Sequence, residues 1–198
     1  MSSSFWVQEG SEFLQQVSRL IQEEMGQFVS NSKLPKNTVN NGVLFKKVKL
    51  FFEQRKWNYQ IIPNQNSLYF NYQADLGKWM VFFVAHESQK QILVYSVYPQ
   101  KVPEAQRSTM AEFITGLNYY LLMGNFEMDL GDGELRYRTS LDCKDSPVTL
   151  PQLQQVLVTN LNMMTRYFER IQGVMEGQIS PQEAIAKHLG TRIAHNIP

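Results

Sequence analysis

Seven consecutive residues, Trp79 to Ala85, carry no ionisable side chain. As a strand, the run sends Trp79, Val81 and Phe83 to one face and Met80, Phe82 and Val84 to the other. A strand apolar on both faces must be covered on both. Turn-forming stretches at 74–78 and 86–91 bound the run, which makes it too short for a helix. Its neighbours alternate with the same period: Trp57 to Ile62, Leu68 to Gln73, and Ile92 to Tyr98, with a further turn at 63–67. The four runs predict an antiparallel meander. Helices of the same chain cover one face, and the other calls for further elements or a second subunit.

Outside the meander the apolar period is that of a helix. Trp6, Phe13, Leu14, Val17, Leu20, Ile21, Met25 and Phe28 define one from Phe5 to about Val29, followed by a loop through Asn41. A second, from Thr38 or Val39 to Lys56, turns Leu44, Val48, Phe51 and Phe52 inward and Lys46, Lys47, Lys49 and Arg55 outward. Pro103 opens a third, striped by Met110, Phe113, Ile114, Leu117 and Leu121 and ended by Gly124. Thr149 and Gln152 stand in capping-box spacing ahead of a long helix carrying Leu153, Leu157, Leu161, Met164, Phe168, Ile171 and Met175. A short helix follows Ser180-Pro181, with Glu183 again in capping-box position and Gly190 as its stop. The organisation expected is an N-terminal helix and linker over 1–38, then one α+β domain over 39–198.

Between the third and fourth helices lies a hairpin, Asn125 to Leu141. Phe126, Met128 and Leu130 alternate with Glu127 and Asp129, and Leu135, Tyr137, Thr139 and Leu141 with Glu134, Arg136, Arg138 and Ser140. A two-residue Asp132-Gly133 turn sets Asp129 opposite Arg136 and Glu127 opposite Arg138, giving a polar face of paired charges. The fold class is therefore α+β: a four-strand antiparallel meander plus a C-terminal hairpin, packed with helices.

Catalytic and metal chemistry find little purchase. His86, His188 and His195 are isolated, and Cys143 has no CxxC partner, so no metal site is expected. The string Asp129-Leu-Gly-Asp132-Gly-Glu134 lacks the one-three-five spacing of a calcium loop, and its twelfth position is Ser140 rather than a bidentate glutamate. Paired carboxylates from Asp129, Asp132 and Glu134 would suit a hydrolase, but the hairpin arginines are their nearer partners. No phosphate-binding glycine loop or nucleophile motif follows a strand. Neither catalytic residues nor a cofactor is assigned.

A formal net charge of +1 supplies no field for gathering phosphate backbones, and no apolar run reaches the eighteen residues of a membrane span. Nucleic acid and membrane are excluded as partners. The first residues lack the basic start and apolar stretch of a signal peptide, and a single cysteine forms no internal disulfide, so a cytoplasmic location is expected. What remains is apolar area. The long helix is greasy over more than one side, with Met163 and Tyr167 beside its main seam, and flexible methionines suit adaptable protein surfaces. Trp79, Met163, Met164, Tyr167 and Phe168 are thus the candidate partner-binding residues, and Glu127, Asp129, Arg136 and Arg138 the candidate polar face. The reading is a non-enzymatic protein-binding module, expected as a homodimer. Its rivals are a small-molecule sensor with a pocket between the sheet and the last helix, and a carboxylate hydrolase.

Several motifs also carry a family likeness. Asn71-Tyr72, Gly77-Lys78-Trp79, Tyr95-Ser96, Pro99 to Pro103, Asn118-Tyr119, Gly124 to Asp129, Asp132-Gly133-Glu134, Arg136 to Leu141 and Met164 to Tyr167 together resemble the bacterial YbjN family. The resemblance runs from about Val39 to Ile185. It implies a role in sensory transduction and a fold similar to type III secretion chaperones, which are generally dimers that bind extended client segments. Two positions depart from the pattern: Thr165 stands where the family usually has an acidic residue, and Gly131 where a charged residue is common.

Overall fold

The computed structural model describes residues 42–186. The helix expected over Phe5 to Val29, its linker, Gly190, His188 and His195 lie outside the described residues. Helix α1 (Val43–Arg55) follows Gly42 and buries Leu44, Phe45, Val48, Phe51 and Phe52, while Val43 and Leu50 are exposed. Strands β1 (Gln60–Ile61), β2 (Ser67–Ala74), β3 (Gly77–His86) and β4 (Gln91–Val97) come next. A single 3-10 turn, Glu104–Gln106, leads into α2 (Arg107–Asn118). Strands β5 (Asn125–Met128) and β6 (Leu135–Asp142) and helix α3 (Leu150–Met175) follow, and residues 181–186 are helical again.

The strands form one antiparallel sheet in the order β1-β2-β3-β4-β6-β5. The meander is as expected, except that the first strand shrinks from the predicted Trp57–Ile62 to Gln60–Ile61. Lys56 takes a left-handed conformation at the end of α1, and Trp57 N–H returns to Phe52 C=O, so the chain is still turning where alternation alone predicts extension.

On one sheet face Trp79, Val81, Phe83, Ile92, Val94, Tyr137 and Phe126 meet α1, α2 and α3 in a continuous core. Aromatic edges dominate where α1 lands: the Phe52 ring lies 5.3 Å from Phe83, 5.4 Å from Phe70 and 5.4 Å from Tyr59. On the second face Phe82 and Val97 are also little exposed, at 1% and 3%.

Helix α3 is placed by polar chemistry in an apolar layer. Asn160 is fully buried, and its Nδ2 donates to Val94 C=O at 2.9 Å, Tyr137 C=O at 3.0 Å and Thr139 Oγ1 at 3.2 Å. Thr139 Oγ1 donates in turn to Val156 C=O on α3 at 3.1 Å. One side chain therefore ties the helix to both β4 and β6. The N-terminus of α3 is closed by the expected capping box, with Gln152 N–H donating to Thr149 Oγ1 and Thr149 N–H to Gln152 Oε1. Asn160→Ala leaves a cavity and strips Thr139 of one partner; it is expected to cost about 3 kcal/mol in urea unfolding. A change below about 1 kcal/mol would show that the helix is held by its apolar seam alone.

Candidate functional surface

Helix α2 runs along the free side of β5 and is pinned at both ends. At its start, Arg107 Nη1 donates to Leu130 C=O and Gly131 C=O, both at 3.0 Å, at the hairpin tip. At its end, the Asn118 carboxamide takes the place of a neighbouring strand: Phe126 N–H donates to Asn118 Oδ1 at 2.8 Å, and Asn118 Nδ2 donates to Phe126 C=O at 2.9 Å. An edge strand with unsatisfied backbone groups invites pairing with another chain, and the carboxamide satisfies those groups at Phe126.

Beyond Asn118 the chain turns outward. Tyr119 is 84% exposed, Leu122 88% and Met123 46%. This stretch is anchored at its far end, where Tyr137 Oη donates to Met123 C=O. Gly124 follows at φ +72°, a conformation costly for other residues, and a Cβ there would lie 2.4 Å from Arg138 C=O. Tyr137 itself is buried under Phe126, at 4.7 Å between rings, and burial pushes its hydroxyl well above the ordinary phenol range. The result is a short loop that projects large apolar side chains from fixed ends.

The hairpin register differs from the expected one by two residues. Glu127 pairs with Arg136 and Asn125 with Arg138, so Asp129 does not face Arg136. The cause is local. Asp129 is a turn residue whose Oδ1 accepts Gly131 N–H at 2.6 Å, and Gly133 N–H closes onto Asp129 C=O at 2.8 Å, giving a four-residue loop rather than a two-residue turn. Gly133 adopts φ +81° and packs so close to Val102 that a Cβ would sit 2.2 Å from its C=O. The polar face is nonetheless assembled. Glu127 is held by Arg136 Nε at 3.0 Å and lies 2.6 Å from Arg138 Nε, while the Arg136 guanidinium stacks 4.6 Å from the Tyr95 ring centroid.

The three carboxylates of the hydrolase reading serve the loop itself. Asp132 Oδ1 accepts Glu134 N–H at 2.8 Å and Oδ2 accepts from Lys101 at 2.8 Å. Burial opposes ionisation of Asp132, but the Lys101 and Glu134 hydrogen bonds outweigh it and hold the carboxyl below its usual range. Glu134 is 5% exposed, and burial pushes its carboxyl upward against the pull of Arg136 at 3.8 Å. Among the described residues no cluster of three or more His, Cys, Asp or Glu could hold a metal ion.

Four of the five residues expected to meet a partner are buried. Trp79, Met164, Tyr167 and Phe168 are buried, and Met163 is half-buried against the same core. Trp79 Nε1 donates to buried Ser96 Oγ at 3.0 Å, and its ring stacks on Phe168 at 5.6 Å. Phe168 also abuts Tyr98, whose hydroxyl burial pushes up to about 12, so the space between sheet and α3 is filled rather than hollow. The apolar surplus of α3 is consumed by α1, α2 and the sheet, whose common interior the helix crosses. Sequence reading missed the Tyr119–Met123 loop because its apolar residues look like the last turn of α2. The available signal was Gly124 following an uncharged run from Asn118.

Because Glu134 favours its protonated form in the fold, the folded protein binds more protons than the unfolded chain just above the ordinary value of 4.5. Its contribution is therefore fully favourable below that value and is lost as pH rises through the folded-state pKa. Glu134→Gln is expected to raise Tm by a few degrees at pH 7 and to show no advantage by pH 4, as followed by calorimetry. An unchanged Tm difference across that range would rule out this carboxyl as the source.

The sequence matches the family model YbjN, described as "Putative bacterial sensory transduction regulator", over residues 45–173. No curated protein matches it. Among solved structures it is similar to YbjN from E. coli, at 12% identity and a TM-score of 0.47, covering 68% of this chain and 90% of that one. It is also similar to chains in the HopA1–SchA chaperone–effector complex (14% identity, TM-score 0.45, covering 64% and 94%) and the ExsC–ExsE complex (11%, 0.45, 63% and 90%). With the family motifs lying on the meander, the α2 terminus, the hairpin and α3, and the model spanning most of the chain, this protein belongs to the YbjN family.

Proposed function

We propose that this protein is a cytoplasmic, non-enzymatic protein-binding module with a regulatory or chaperone-like role in sensory transduction, and that the Tyr119–Met123 loop is its contact surface. The observation that carries this reading is the exposure of Tyr119 and Leu122, at 84% and 88%, on a loop whose ends are fixed. Apolar side chains already held in place lose little freedom on docking, so most of their burial is available as affinity. The Glu127, Arg136 and Arg138 cluster, one strand from the loop, supplies charge that selects among partners. A second copy of the chain is the first partner to examine, since a homodimer would bury the loop on itself.

Among the described residues no helix is long and apolar enough to cross a membrane. The family description supports a regulatory role without naming a target. Sedimentation velocity over a concentration series, together with photo-crosslinking in living cells from a photo-reactive residue replacing Tyr119, tests the proposal. Leu122→Asp is expected to abolish self-association or the crosslinked adduct, with Tm unchanged within about 2 °C because the side chain lies outside the core. A wild-type protein that stays monomeric and yields no adduct would overturn the assignment.

A further inference from the structure

Three segments that do not include the loop line a cleft of ≈ 430 Å³: the first turn of α1, the β3–β4 turn and the β6–α3 connection. That volume falls in the range of small-molecule sites. Its wall is apolar, made by Leu44, Cys143 and Val148, each exposed by less than a tenth, together with Pro147. Its rim carries Lys47, Lys90 and Lys144, with Asp145 in the lining and Glu87 and Asp142 close to Cys143.

The charges around this cleft are not equally occupied. The α1 amides are taken already, since Leu44 and Phe45 N–H donate to the Glu87 carboxylate at 3.2 and 2.9 Å. An incoming anion therefore finds no free helix terminus. Lys144 Nζ lies 3.6 Å from Asp142 Oδ2. Among the described residues neither Lys47 nor Lys90 has a side-chain hydrogen bond or an ion pair, although both line the cleft. Solvated lysines are ordinary on a protein surface. Two unpaired ammonium groups above a concave apolar wall are a different case, because one ligand can satisfy both features together.

We propose that this cleft binds a small amphiphilic carboxylate, its headgroup between Lys47 and Lys90 and its aliphatic tail against Leu44, Pro147 and Val148. A single carboxylate matches two point-charge donors, and Leu44, Pro147 and Val148 give the tail an apolar surface beside Ser146. The site is separate from the protein-binding loop, so it would supply that module with an input.

Calorimetric titration of the full chain with sodium octanoate tests this, with acetate as the headgroup alone and 1-octanol as the tail alone. Octanoate is expected to bind saturably, and neither control to compete with it. Lys47→Gln combined with Lys90→Gln should weaken binding at least tenfold while leaving Tm within about 2 °C, since both side chains are unpaired. Octanoate should also slow modification of Cys143 by a thiol reagent several-fold in the wild type and not in the double variant. Absence of saturable binding, octanol binding as well as octanoate, or an unaltered affinity in the double variant would each overturn the site. None of these outcomes bears on self-association through Leu122, so the two proposals fail independently.

Discussion

Asn160 sits where α3 crosses the junction of β4 and β6, and its carboxamide holds all three elements. The buried Nδ2 would cost several kcal/mol without acceptors, which favours the axial position where it reaches Val94 C=O, Tyr137 C=O and Thr139 Oγ1, although the buried Oδ1 has no partner there. Apolar packing alone would tolerate sliding by a turn, because the α3 seam repeats Leu and Met at helical spacing. The hydrogen bonds remove that freedom. They also bind together strands far apart in sequence, since β4 is joined to β6 through the whole of α2 and β5.

From Asn160 the dependence reaches the surface through Tyr137. Its backbone accepts from Asn160, its ring packs on Phe126, and its hydroxyl holds Met123 C=O. Phe126 in turn is bonded at both backbone groups by Asn118. The exposed loop is thus suspended between two residues that belong to the core, which is how large apolar side chains can be displayed without the loop collapsing onto the body. The same arrangement satisfies the backbone groups of the sheet edge at Phe126, which disfavours strand addition at that position.

Thr165 illustrates how a family pattern and a structure combine. At the position where the family resemblance implies an acid, Thr165 Oγ1 donates back to Leu161 C=O at 2.9 Å within its own helix. Its hydroxyl is therefore spent locally. Arg166, on the exposed side of α3, is left near the Tyr167 ring at 5.9 Å. In this chain that stretch of α3 serves packing through Met164 and Tyr167.

Local chemistry was legible in the residues themselves. Capping boxes at Thr149 and Ser180, left-handed glycines at 124 and 133, the meander's alternation and the family motifs all depend on neighbours within a few positions, so they can be read without knowing the fold. The hairpin register was not legible from alternation, although part of its cause is local. It turns on Asp129 folding back on Gly131 and on Arg107 clamping the tip from another helix, contacts that alternation does not encode. Nor was the fate of the apolar surplus: hydrophobicity states that a side chain will leave water, but only the packing of α1, α2 and the sheet around α3 decides whether it does so inside its own chain or against another. Trp79 and Phe168 were absorbed inward, while Tyr119 and Leu122 were left outside, because Asn118 and Gly124 fix the backbone where no core residue lies within their reach.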